Sequence, residues 1–284
     1  MTDGPDTPGG TSPGQLFIVS TPIGNLADFT FRAVEALASA ALVVAEDTRH
    51  SRTLLDHYRI TTPVAAYHEH NEARETPRLV ARLLEGESIA LISDAGTPLV
   101  SDPGARLVHA AVAAGITVVP IPGASALLAA LVASALPSER FSFYGFLARK
   151  GKERSAAIAD IVRSPLTVIV YESPNRVAAT LAELASAGAA ERQVVVAREL
   201  TKKFETFLRG RVGELAQTLA GSEVRGEIVL VIDGATEIAV DETTLREQAQ
   251  LWREQGASSR DIVERLMQEY GAARNVAYRL AHDR

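Results

Sequence analysis

The sequence predicts two successive α/β domains closed by a small helical, helix-turn-helix-like appendage. Three observations carry this. Short apolar runs without polar alternation, such as Ile89-Ala90-Leu91-Ile92, recur between helical patterns, as expected of strands buried on both faces of a parallel sheet. Two strand patterns between residues 193 and 209 lie too close together for a helical crossover, so the second sheet is expected to be mixed. The last forty or so residues change in kind, to amphipathic helical patterns broken by single glycines.

Taken in order, residues 1–14 are rich in Pro, Gly and Thr, with neither a basic start nor an apolar run, and read as a disordered tail without an export signal. A first domain over 15–122 holds strands at 15–20, 41–45, 63–67, 88–93 and 116–120, with helices at 28–39, 48–58, 71–85 and 103–114. A second domain over 123–236 opens, after Pro122-Gly123, with a helix at 124–136. Strands follow at 141–146, 166–171, 193–198, 204–209 and 226–232, interleaved with helices at 152–163, 174–187 and 212–220. The appendage, 241–284, begins with a helix at 243–255 ended by Gly256. Ser258 with Asp261 three positions later forms a carboxylate version of the capping box, so a helix starts near Ser259 and runs to Tyr270. Gly271 separates it from a last helix bearing Arg274, Asn275, Tyr278 and Arg279. That helix suits contact with RNA, and a dimerisation or docking bundle is the equal alternative.

Composition narrows the chemistry. The 284 residues are 46% hydrophobic, enough for two domains and an appendage, and contain no cysteine. Disulfides, thiolate metal sites and thiol nucleophiles are excluded, which suits a reducing compartment. Residues 107–138 lack Asp, Glu, Lys and Arg, but Gly115, Pro120, Pro122, Gly123 and Pro137 divide them into strand, turn and helix, so no membrane span is expected. A net charge of −6 argues against a protein that coats nucleic acid non-specifically. Local basic stretches remain at Arg149 to Arg154 and Arg198 to Lys203, each also explicable as a solvated helix start or turn.

The ends of the apolar runs carry the site. Ser93-Asp94-Ala95-Gly96-Thr97-Pro98 and Ser101-Asp102-Pro103-Gly104 follow directly on Ile89 to Ile92, and similar loops begin at Thr21, Pro120 and Tyr171. Ligands of open α/β sheets lie at such strand ends, where glycine lets them approach the backbone and Asp94 and Asp102 offer acceptors. Helix capping explains the same residues structurally. Neither G-x-G-x-x-G nor a P-loop occurs, which removes the ordinary dinucleotide and phosphate motifs. His68-x-His70 has spacing that places two imidazoles on one strand face, but no further ligand accompanies them and no metal is expected.

These motifs together resemble a known family. Thr21-Pro22-Ile23-Gly24-Asn25-Leu26-Ala27-Asp28, Glu46-Asp47-Thr48-Arg49, His70-Asn71-Glu72, Ser93 to Gly104, Pro122 to Ala126, Phe143 to Leu147, Tyr171-Glu172-Ser173-Pro174, Arg198 to Lys202 and Gly226-Glu227 stand in the order found in bacterial 16S ribosomal RNA cytidine 2'-O-methyltransferases. Those enzymes are built on the tetrapyrrole-methylase (class III methyltransferase) fold. The one departure is Ala148, where the family commonly has Pro. The resemblance implies S-adenosylmethionine as cofactor, a cytidine of the decoding region in the assembled small subunit as substrate, a homodimer, and a cytoplasmic location without membrane or DNA contact. It implies cofactor loops at Thr21, Pro22, Gly24, Asn25, Asp94, Ala95, Gly96, Thr97, Pro98, Ser125, Ala126, Tyr171, Glu172 and Gly226.

A neutral ribose hydroxyl is a poor nucleophile, so a nearby carboxylate, imidazole or neutral lysine is expected to take its proton. Glu46, Asp47, His70, Glu72, Glu199 and Lys202 are the candidates, with none distinguished. Arg49, Lys150, Arg198, Arg274 and Arg279 are candidate RNA contacts, while Glu46 with Arg49 and Glu199 with Lys202 read equally as structural ion pairs. A methylase acting on a small tetrapyrrole and a non-enzymatic ribosome-associated RNA-binding factor are the alternative readings.

Overall fold

A computed structural model describes residues 12–235 and 242–283. The expected N-terminal tail therefore falls largely outside the described residues. Its last residue, Gly14, is buried and donates its N–H to the Leu83 carbonyl at 2.8 Å. Contacts group the chain into one compact unit ending at Gly234 and a second beginning at Ala235.

The first half of the larger unit runs β1 (Gln15–Val19), α1 (Phe31–Ser39), β2 (Leu42–Ala45), α2 (Thr48–His57), β3 (Val64–Ala66), α3 (Glu72–Leu84), β4 (Ile89–Ile92), α4 (Ala105–Ala113) and β5 (Thr117–Ile121). All five strands are parallel, in the order β3-β2-β4-β1-β5. Helices cover both faces. Ala33, Leu37, Leu54 and Leu55 of α1 and α2 pack with Val43 and Ile92 on one side, and Leu79, Leu83, Leu107 and Ala111 of α3 and α4 pack with Leu16 and Leu91 on the other. That double covering is why Leu42–Ala45 and Ile89–Ile92 are apolar at every position and buried throughout.

The second half runs α5 (Ala126–Ser134), β6 (Phe141–Phe146), α6 (Lys152–Arg163), β7 (Thr167–Glu172), α7 (Val177–Leu184), β8 (Gln193–Arg198), β9 (Thr206–Arg211), α8 (Val212–Leu219) and β10 (Ile228–Ile232). Its sheet, β6-β7-β10-β8-β9, is mixed as the short 193–209 spacing requires: β6 and β7 are parallel, and β10 is antiparallel to both neighbours. The helix expected over 174–187 stops at Leu184. A wide turn follows, in which Gly188 adopts φ 112°, a conformation that ends regular helix.

Every buried position of β10 faces one of two packed layers. Leu230 and Ile232 meet Ile161, Leu181 and Leu184, while Val229 and Val231 meet Leu131 and Ile169.

The smaller unit contains α9 (Glu242–Glu254), α10 (Ser259–Tyr270) and α11 (Arg274–His282). They bury Leu245, Trp252, Ile262, Leu266 and Leu280 among themselves, with Trp252 edge-on to Tyr270 at 5.9 Å. The Ser258–Asp261 capping box is formed, and Gly271 closes α10 with φ 65°.

Leu181 is fully buried in the helical layer over the second sheet. Leu181→Ala is expected to destabilise the chain by about 2–5 kcal/mol, read as a lowered urea midpoint with unchanged slope.

Candidate active site in the cleft between the sheets

The strand order of the first sheet fixes where a ligand goes. The chain leaves β1 toward β2 over the α1 face and leaves β4 toward β5 over the α4 face, so the loops after these adjacent strands part to opposite sides. Their carboxyl ends form the switch point at which open α/β sheets bind ligands. Here the two loops are stitched together. Thr21 N–H donates to the Gly96 carbonyl at 2.8 Å, and Gly96 N–H donates back to the Thr21 carbonyl at 3.1 Å. Gly96 sits at φ 80°, which a β-carbon would strain.

Facing this bridge is the corresponding edge of the second sheet: the end of β6, the end of β7 and the start of β10, where Ile228 pairs with both Glu172 and Arg198. A cavity of about 360 Å³ lies between the two edges. Ala95, Gly96, Thr97, Ser101 and Asp102 line it from the first sheet. Ser125 and Ala126 line it from the start of α5, and Phe146, Tyr171, Glu172, Ser173 and Gly226 to Val229 from the second sheet. Ile23, Val100, Ile228 and Val229 make its walls apolar, and among the described residues no Lys, Arg or His lines it.

Second contacts lock these walls. The Thr97 hydroxyl lies 2.9 Å from Ser20 Oγ and donates to the Ala124 carbonyl at 3.4 Å, tying the β4 and α5 loops together. Tyr171 accepts a hydrogen bond from Leu127 N–H at 3.2 Å and stands edge-on to Phe143 and Phe146. Glu172 is wholly inaccessible. It accepts from Thr180 Oγ1 at 2.6 Å and Ser173 N–H at 2.8 Å and lies 3.4 Å from Arg176 Nε, so it holds the wall rather than offering a free carboxylate.

The proposed cofactor residues divide between two cavities. Ala95, Gly96, Thr97, Ser125, Ala126, Tyr171, Glu172 and Gly226 line the large one, whereas Thr21, Pro22, Gly24 and Asp94 line a separate space of about 250 Å³ beside α2. Asp94 accepts from Asp47 N–H at 3.1 Å. Asn25 caps the turn that follows it, accepting from Ala27 N–H at 3.1 Å, and Pro98 is buried.

Asp47, Glu72, Glu199 and Lys202, among the expected proton acceptors, are engaged by other groups. Asp47 caps α2 and binds Arg49. The Arg49 side chain and backbone N–H hold its carboxyl down to about 2, too acidic to take a proton at neutral pH. Glu72 pairs with Arg106 at 3.2 Å. Glu199 accepts from Glu227 N–H and from Lys202 at 2.9 Å, contacts that keep its pKa low. Burial alone would lower the Lys202 ammonium, but Glu199 and Glu227 outweigh it and hold the pKa up, so no neutral amine is present. Glu46 is raised, first by desolvation and then by Asp94, yet it does not line the large cavity. His68 and His70 lie in the turn entering α3, not on a strand face, because Asn71 bonds back to His68 N–H. Among the described residues no group of side chains suits a metal.

Of the basic residues, Arg49 is exposed but paired with Asp47, and Arg198 is held by Thr206 and the carbonyls of Phe204 and Arg225. Lys150 and Arg274 are exposed. Arg279 is engaged by Glu242 at 2.7 Å, a partner that its helix spacing did not reveal. The sequence reasoning passed over Val100, Phe146, Ile228 and Val229 as lining residues. Asp102 was expected only as a hydrogen-bond acceptor at the strand end. Burial, together with Glu46 and Asp94, raises Asp102 to about 6.

Fold and cleft together define a class III methyltransferase. A family model described as Tetrapyrrole (Corrin/Porphyrin) Methylases matches residues 15–216. Among solved structures, uroporphyrin-III C-methyl transferase from Thermus thermophilus complexed with S-adenosyl homocysteine aligns over 78% of this chain and 97% of its own. The TM-score is 0.56 at 19% identity, a likeness of fold. Cobalt precorrin-4 methyltransferase aligns over 77% of this chain and 94% of its own with TM-score 0.59 and 18% identity.

Much nearer in sequence are the ribosomal RNA small subunit methyltransferases I. That of Synechocystis sp. is 44% identical over 94% of this chain and 97% of its own, and that of Pseudomonas aeruginosa 50% identical over 78% and 80%. The chain belongs to the ribosomal RNA small subunit methyltransferase I family, within the tetrapyrrole methylases, and is an S-adenosylmethionine-dependent methyltransferase.

Gly226 tests the cleft wall. It adopts φ 91°, and a β-carbon there would stand 2.5 Å from the Glu199 side chain. Gly226→Ala must strain the backbone and displace Glu199 together with Lys202, so calorimetry is expected to show S-adenosylmethionine affinity falling by about tenfold or more.

Proposed function

We propose that this chain methylates the 2'-oxygen of a cytidine ribose in the decoding region of 16S ribosomal RNA, acting on the assembled small subunit, as a cytoplasmic homodimer. The observation that carries the reading is the cleft: its lining is apolar and acidic, without Lys, Arg or His among the described residues, in a chain 44% identical to a named ribosomal RNA methyltransferase across nearly its whole length. The tetrapyrrole enzymes of the same fold are only 18–21% identical, which supports an RNA acceptor over a small macrocycle. Exposed Leu128 and Val132 on α5, with Leu208 on the edge strand β9, support pairing of two copies.

The residues present suit S-adenosylmethionine. Backbone groups at Ala95 to Thr97, at Ser125-Ala126 and around Gly226 to Ile228 offer donors and acceptors for adenine, ribose and the methionine end. The Asp102 carboxylate in the wall, which has no ion-pair partner among the described residues, suits a sulfonium. When bound, that group supplies an electrophilic methyl. The chain's own part is to hold and to exclude. Ile23, Val100, Ile228 and Val229 keep water from the reacting centre, and the Thr21–Gly96 bridge with the Thr97 contacts fixes the loop that frames it. Exposed Lys150, Arg274 and, by exchange from its carboxylate, Arg49 are the groups assigned to RNA phosphates.

The test is labelled-methyl transfer to small subunits lacking the modification, run beside naked 16S RNA and tetrapyrrole precursors, with nuclease mapping. Label at one 2'-O-methylated cytidine in the subunit is expected. Label on a tetrapyrrole, on a base, or nowhere despite cofactor binding would contradict the reading.

A further inference from the structure

We propose that Asp102 is the proton acceptor for the ribose hydroxyl, a catalytic role that deepens the methyl-transfer reading above and rests on it. Three carboxylates line the large cavity: Asp102, Glu172 and Glu227. Glu172 is closed off by Thr180, Ser173 and Arg176. Glu227 is 73% exposed and paired with Lys202 at 3.2 Å, so it is solvated and neutralised. Asp102 alone of the three has no cationic partner among the described residues. It stands in the cavity wall between Ser101 and Pro103, on the loop that the Thr21–Gly96 bridge and the Thr97 contacts hold in place.

Outside the cavity, Asp47, Glu72 and Glu199 each carry an Arg or Lys, whereas Glu46 and Asp94 have no ion pair among the described residues but do not line the cavity.

The surroundings of Asp102 suit a base. Burial, then the negative charge of Glu46 at the end of β2 and of Asp94 after β4, raise its pKa to about 6, and the polar Ser93 hydroxyl nearby opposes the rise. The Tyr171 phenol faces it from β7 and feels its charge. A carboxylate with pKa near 6 is ionised at neutral pH yet far more basic than a solvated one, the compromise that general-base catalysis favours. In the step, the 2'-oxygen forms its bond to the methyl carbon as its proton passes to an Asp102 carboxylate oxygen. The carbon–sulfur bond breaks with its electron pair left on sulfur, and the neutral thioether leaves. The Asp102 carboxylic acid then releases its proton to water, so no further reactant is consumed.

The test compares wild type, Asp102→Asn and Asp102→Glu on small subunits. Asn is expected to lower kcat by about a hundredfold or more, with KM for the subunit and calorimetric affinity for S-adenosylmethionine within a few-fold, and Glu to restore part of kcat. The acid limb of wild-type kcat should fall near pH 6 and vanish from the residual activity of the Asn variant.

A readout without catalysis accompanies these. The folded carboxyl is raised above its unfolded value of 3.8, so it costs nothing below that pH and its full penalty above about 6. Asp102→Asn should therefore melt above wild type at pH 8, the difference closing toward pH 4. An Asn variant keeping kcat within about threefold, a wild-type kcat flat from pH 5 to 7, or equal melting at pH 8 would overturn the assignment. Inactive wild-type protein on competent subunits would instead overturn the methyl-transfer reading itself.

Discussion

A pair of backbone hydrogen bonds, Thr21 with Gly96, organises the site. In a parallel sheet the loops after β1 and β4 diverge to opposite faces, and nothing in the strands themselves fixes how their ends meet. The reciprocal bonds close that gap, and they need the φ of 80° that Gly96 supplies. Once closed, the bridge is the floor on which the large cavity rests and the wall that separates it from the smaller space beside α2. The segment from Thr97 to Gly104 then has a fixed start, and its carboxylate is presented to the second sheet.

The opposite wall obeys a different constraint. β10 runs antiparallel between β7 and β8, which brings Ile228 beside Glu172 and Arg198, so three strand ends deliver small and apolar residues to one edge. Charge is managed by pairing. Asp47, Glu72, Glu172, Glu199 and Glu227 each carry a cation, and burial with like charges leaves Glu46 and Asp102 raised. Keeping an unpaired carboxylate partly buried costs stability, a pattern that folds retain at working sites.

Much of this was legible in the sequence. The apolar stretches within 15–20, 88–93 and 226–232 read as strands, and each holds one: Gln15–Val19, Ile89–Ile92 and Ile228–Ile232. The small-residue loops that follow Ile92, Pro122 and Val170 line one cavity, the first two from the edge of the parallel sheet and the third from the edge of the second sheet that faces it. What escaped had physical reasons. Thr21, Gly24 and Asp94 share motifs with the large cavity's residues, but motif order is blind to which side of a backbone bridge a residue faces. Asp47 and Asn25 sit where helix starts demand acceptors, and capping claimed them. Arg279 looked free because its partner, Glu242, lies 37 positions away. Phe146 and Val100 gave no polar signal at all, since what makes them part of the site is the place the fold gives them, at the end of β6 and in the loop after β4.

The most direct test of the central claim, that one cavity spanning both sheets is the cofactor site, is hydrogen exchange with and without S-adenosylhomocysteine. Joint slowing at Ala95 to Asp102, Ser125 to Leu127 and Gly226 to Val229, with Leu42–Ala45 and Val64–Ala66 unchanged, is the expected result. Slowing confined to Thr21 to Leu26 and His50 to Leu54, around the smaller space, would contradict it.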